Sequence, residues 1–74
     1  MAKIQGAFGW YLERDAMLDG VQITEYYRDG FMGQWTRHFQ QRDRIENFDE
    51  ALKVYNKYDE PTERASGARI CANG

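Results

Sequence analysis

Nucleophilic catalysis needs a nucleophile, a base and a group that orients the base, all in contact. This chain offers one serine, Ser66, one cysteine, Cys71, and one histidine, His38. Ser66 and Cys71 fall in a small, polar C-terminal stretch and His38 in an aromatic run, so the expectation is a surface imidazole and two inert side chains. A structural zinc site wants four Cys or His ligands, and only His38 and Cys71 exist. Asp15 and Asp19, followed by Gly20, lack the alternating acidic ligands and distal Glu of a calcium loop. The carboxylate pairs Asp49/Glu50 and Asp59/Glu60 would need a shaped pocket to act as acid and base, and helix capping explains them more simply. No glycine cluster precedes a helix in the manner of a phosphate cradle. The expectation is a protein that is not an enzyme, with no cofactor and no metal.

The remaining chemistry is recognition. From Trp35 to Arg44, aromatic side chains alternate with basic ones (Trp35, Arg37, His38, Phe39, Arg42, Arg44), the pattern on which single-stranded nucleic acid stacks its bases and rests its phosphates. The formal net charge of −2 weighs against a general nucleic-acid binder. The excess acid lies wholly after Arg44, where six Asp and Glu face four Lys and Arg. Trp, Tyr and Arg are also the usual anchors of protein interfaces, and Tyr26, Tyr27, Arg28 and Phe31 cluster around a turn.

The elements that must hold these residues follow from periodicity. Phe8, Trp10 and Leu12 alternate onto one face of a strand, with Tyr11 and Glu13 on the other. A second run, from Val21 to Tyr27, is rich in β-branched and aromatic residues and ends at the turn signal Asp29-Gly30. A third, about Gln34 to Gln40, reads as a strand with Trp35 and Phe39 on one face, although their spacing also suits a helix. Next comes a helix capped by Asn47, with Glu50 as the reciprocal partner of a capping box. Its apolar face is Phe48, Ala51, Leu52, Tyr55 and Tyr58, and Pro61 stops it. Residues 62–74 read either as a loose tail or as an added edge strand through Ile70. The chain is thus a single small α+β domain, 1–74, in which a three- to four-stranded antiparallel meander packs on one α-helix. Aromatics make up 15% of the residues, enough to give so short a chain a core.

The single cysteine, the absence of a long apolar run and the polar start at Met1 to Gly6 together predict no membrane span and a reducing cytoplasm. Size, acidic pI, a meander plus one helix and the lack of a catalytic set resemble the small anti-CRISPR proteins of phages and mobile elements. That resemblance implies an inhibitor acting in the cytoplasm of a bacterial host. It would bind a CRISPR-Cas effector subunit or complex and block access of DNA or nuclease. The residues themselves indicate a contact surface. With one helix to cover one sheet face, Tyr11, Tyr26 and Arg28 should point outward as anchors, while Glu46, Asp49, Glu50, Asp59 and Glu60 supply an acidic rim. The alternative is a small nucleic-acid-binding accessory protein using Trp35 to Arg44.

Overall fold

The longest ladder is the hairpin formed by the first two strands. The computed structural model describes residues 8–30 and 33–73, so Phe31 and the amino-terminal stretch lie outside the described residues. Strand β1 (Trp10–Leu18) turns through Asp19 and Gly20 into β2 (Val21–Gly30). Both turn residues have positive φ, 51° and 80°, as a two-residue loop matched to strand twist requires. Strand β3 (Gly33–Thr36) pairs with β2, and after the helix α1 (Phe48–Tyr58) the chain returns as β4 (Arg69–Ala72). All pairings are antiparallel, in the order β3-β2-β1-β4. The meander thereby gains a fourth strand beside its first, the spatial order of a Greek key with the helix in its long connection.

β1 and β2 pair from Leu18↔Val21 to Glu13↔Tyr26, and a later segment wedges between them where they part. Asp43 donates its N–H to the Tyr27 carbonyl (2.9 Å), and Trp10 and Ile45 exchange both backbone bonds at 2.8 Å. Gly9 (φ +82°) must be small here, since a Cβ would stand 2.8 Å from the Ile45 carbonyl oxygen.

One sheet face meets the helix. Leu12 and Ala51 are fully buried, Tyr27 and Ala68 nearly so, with Trp10, Trp35, Ile45, Val54, Tyr55, Tyr58 and Ile70 packed around them. Tyr27, Trp35 and Tyr58 pack their rings together on the β3 side of this layer, Trp35 and Tyr58 edge to face at 5.3 Å, the arrangement that ring quadrupoles favour. Asn47 caps α1 as its sequence suggests, accepting the Asp49 N–H at 2.7 Å. Glu50 instead reaches toward Lys53 (3.6 Å), so the reciprocal half of the capping box is replaced by an ion pair.

Several expectations change. The buried face of α1 runs through Ala51, Val54, Tyr55 and Tyr58, while Phe48 (44% exposed) and Leu52 sit on its flank. Phe8 and Val21 are exposed, because the eleven-residue helix is too short to cover both ends of the sheet. The third run is a strand only to Thr36, whose Oγ1 accepts the His38 N–H. Such a local side-chain bond competes with the ladder, and the chain turns into a 3-10 segment, Phe39–Gln41. Of the two readings of the C-terminal stretch, the added edge strand through Ile70 is the one found, as β4, and the loose tail is not. Beyond β4, Met17 donates to the Arg64 carbonyl, Ser66 donates to the Asp15 carbonyl, and the Asp15 N–H returns to Ser66 Oγ at 2.9 Å.

Candidate contact surface

The face of the sheet away from α1 carries Tyr11, Glu13 and Asp15 from β1, Tyr26 and Arg28 from β2, and Arg69 and Cys71 from β4, as strand alternation dictates. Tyr11 and Tyr26 lie outward of the sheet, as expected, but they are half-buried. The 3-10 segment folds back over them. The Phe39 ring meets Tyr26 at 5.1 Å and Tyr11 at 5.6 Å, both edge to face. Arg42 closes the cluster, its guanidinium 3.6 Å from the Phe39 centroid and 5.0 Å from that of Tyr11, within reach of a cation–π attraction. Asn73 Oδ1 accepts from Arg42 Nη2 (2.9 Å), and the Phe39 carbonyl accepts from Nη1 (2.9 Å), so the guanidinium is fixed in place. Gln41 Oε1 accepts from Arg28 (3.1 Å) and from Thr36 Oγ1 (3.0 Å), tying the same segment to β2 and β3.

Residue types alone would not have picked out Phe39 and Arg42 as the solvent side of this face. The basic and aromatic alternation of the segment was their signal, but its partners lie elsewhere in the chain. Trp35 faces the helix and is covered by Arg14, whose guanidinium stands 4.2 Å from its ring and bonds Glu25 at 2.9 Å. Trp35 and Phe39 thus lie on opposite faces, contrary to the expectation of one shared face. They cannot form one stacking platform for consecutive bases. Arg37, His38 and Arg44 sit apart from the cluster, with His38 exposed.

Next to the aromatic cluster, Arg69 grips Asp15 with two bonds (3.1 and 3.2 Å) and Glu13 with a third (3.2 Å). The bond to Asp15 is the largest influence raising the Arg69 pKa, and Glu13 adds to it. Burial raises the Tyr11 hydroxyl above its ordinary value, with Cys71 and Glu13 nearby adding to the effect and Arg42 opposing it. Burial, then the Glu13 carboxylate, raises the Cys71 thiol, the opposite of what an attacking thiolate requires. Ser66 Oγ is engaged with the Asp15 N–H and the Gly67 carbonyl. Among the described residues no group of three or more His, Cys, Asp and Glu could hold a metal ion, and no helix is long and apolar enough to cross a membrane.

The expected acidic rim does not adjoin this face. Glu46 (paired to Arg44 at 3.0 Å), Asp49 and Glu50 stand at the start of α1, and Asp59 and Glu60 follow its end; all are exposed. They belong to the helix layer, on the other side of the sheet from Tyr11, Tyr26 and Arg28. One strand period decides this, since the odd positions of β1 face away from the helix. The eight expected contact residues therefore form two separate groups. The chain matches no family model, no curated protein and no solved structure, so its function is argued from this geometry.

Proposed function

We propose that this protein is a non-catalytic binding protein whose contact surface is the helix-free face of the sheet, centred on Phe39, Arg42, Tyr26, Tyr11 and Arg28. The observation that carries this reading is the clamped aromatic cluster. Phe39 remains 42% exposed above two tyrosines, and a guanidinium is fixed beside it by Asn73. A pre-ordered aromatic and arginine surface loses little side-chain entropy on binding, which favours a protein partner. For the partner we propose a CRISPR-Cas effector complex, blocked from its DNA or nuclease. Size, acidic pI and the sheet-plus-helix layout support this choice.

The test is DNA cleavage by purified, guide-loaded effector complexes of several types, with and without the chain, alongside direct binding measurements. Stoichiometric inhibition of one type, lost on Phe39→Ser with Arg28→Glu while the circular dichroism spectrum is retained, is the expected result. Cleavage unaffected across the panel rejects the partner class. Inhibition that survives the double substitution rejects the surface. Salt-sensitive binding to single-stranded oligonucleotides, without effector binding, would favour the nucleic-acid alternative instead.

A further inference from the structure

The two outer strands of the sheet differ in how they end it. β3 has four residues, opens on glycine, and pairs irregularly with β2 between Tyr27 and Gly30. Short, distorted edges of this kind discourage further strands. β4 has no such protection along Ile70, Cys71 and Ala72. Its hydrogen-bond phase can be read from its neighbours. Trp10 uses both its backbone groups on Ile45, on the side away from β4, and the Asn73 N–H donates to the Gly9 carbonyl at 2.9 Å. Successive residues of a strand point their backbone groups to opposite sides, so Tyr11 and Glu13 bond Cys71 and Arg69 across the ladder. The N–H and C=O of Ile70 and Ala72 therefore point to the open side, and among the described residues nothing meets them. The open stretch is bounded, because the next outward N–H, that of Ala68, already donates to the Tyr58 carbonyl (2.8 Å) at the end of α1.

We propose that β4 pairs antiparallel with β4 of a second copy, about a two-fold axis at Cys71, joining two four-stranded sheets into one. The register follows from the open groups. With Ile70 opposite Ala72 of the second copy, and Ala72 opposite its Ile70, all four outward groups are satisfied by a reciprocal set of four bonds. Sliding the copies until Ile70 faces Ile70 brings Ala72 against Ala68, whose N–H is taken. In the favoured register Arg69 faces Asn73 rather than another arginine, so no like charges stand opposite each other.

The helix layer adds an apolar contact. Phe48 lies by Ala72 and Tyr58 by Ala68, so α1 runs along β4. Phe48, Trp10, Ile70 and Ala72 line an open apolar groove on that edge, and Leu52, one helical turn after Phe48, shares its flank. Strands about 4.8 Å apart bring the two helices within packing distance across the axis. The dyad would thus cover the two apolar helix residues that the monomer's core leaves out.

Sedimentation of the full chain over a range of concentrations tests the association, and twice the single-chain mass is expected. Ala72→Pro removes one outward N–H and none of the bonds to β1, a position where an edge strand tolerates proline. It should retain the circular dichroism spectrum and lose the dimer at concentrations where the wild type is dimeric. A short bis-maleimide should also join two wild-type chains through Cys71, which stands across the axis from its copy. A single-chain mass at every concentration overturns the proposal, as does an Ala72→Pro variant that associates like wild type. If Ala72→Pro fails to fold, the cross-link decides. A wild-type dimer whose Cys71 reacts with a monofunctional maleimide but yields no cross-linked pair overturns the register.

Discussion

Gly67 is where the C-terminal stretch crosses the end of the helix, and replacing it by alanine tests the packing there. A Cβ on Gly67 would fall inside van der Waals contact of the Asp59 carbonyl oxygen and 3.0 Å from its carbon. The obstacle is backbone, so it cannot swing aside like a flexible side chain. Forcing an extra methyl into a closed contact costs about 1–3 kcal/mol. Moving the segments apart would also stretch the adjacent Ala68 to Tyr58 bond (2.8 Å). A backbone bond of this kind contributes about 1 kcal/mol. Against this, alanine restricts the unfolded chain and offsets about 0.4–1 kcal/mol. The net destabilisation is about 1–3 kcal/mol, which lowers the melting temperature of a domain of this size by about 5–20 °C. A thermal melt followed by circular dichroism measures it. A Gly67→Ala variant melting at or above the wild-type temperature would show that the entropic gain wins and that the stretch does not press on Asp59.

Leu12→Ala should cost about 2–5 kcal/mol, since Leu12 is fully buried, and Leu52→Ala clearly less, since Leu52 lies outside the core. Equal losses in denaturant titrations would contradict this core. Asn47→Ala should cost about 1 kcal/mol through the lost bond to the Asp49 N–H, with Asn47→Asp close to neutral by the same assay. Tyr11, Tyr27 and Cys71 are held above their ordinary values of 10.0, 10.0 and 9.0, by burial first in each case. The unfolded chain therefore releases these protons first. The associated stability is complete below about pH 9 and is lost as pH rises through the ordinary values towards the folded ones, so a denaturation midpoint that stays flat across that window would count against their burial. Reversing Glu46, Asp49 and Glu50 to lysine turns the net charge of −2 positive, so association with a basic partner should slow and added salt should speed it, while dissociation stays nearly unchanged, because exposed charges steer encounter more than they hold the complex. Stopped-flow binding separates the two rates.

Local patterns were legible wherever one period governed the outcome. Alternation placed Trp10 and Leu12 against the helix and Tyr11 on the other face, and a single side-chain cap located the start of α1. Where two signals competed, distant contacts decided. Trp35 and Phe39 suit either a strand face or a helix face, but the Thr36 hydroxyl turns the chain between them, and each ring finds partners far away in sequence. Val54 joined the core in place of Leu52 because the buried stripe of α1 is the one that carries Tyr58 onto Tyr27 and Trp35, contacts that no pattern within the helix can reveal. The edge strand through Ile70 was legible as one of two readings, but the order of the stretch ahead of it was not. Its small residues carry little hydrophobic signal, and their value lies in close approach, with Ala65 and Ala68 buried and Gly67 against Asp59.

The segment from Thr36 to Asn47 links fold and function, because it closes the split between β1 and β2 and also covers the second face of the sheet. Its hold on that face is local. It rests on the Arg28 and Thr36 bonds to Gln41, the Arg42 bonds to Asn73, the Asp29 N–H donated to the Asp43 carboxylate, and one partly exposed ring. Its hold between β1 and β2 is firmer, with Ile45 packed against the core and doubly bonded to Trp10. Opening at Phe39 should therefore require less free energy than opening at Ile45, and the two need not open together. A partner that reads Phe39 and Arg42 in place meets a ready surface. A partner that needs the rings of Tyr11 and Tyr26 must bind the fraction in which Phe39 has lifted, and its apparent affinity falls by that fraction. The fixed Arg42 thus favours recognition of the closed face, with the tyrosines acting as the support on which Phe39 is held.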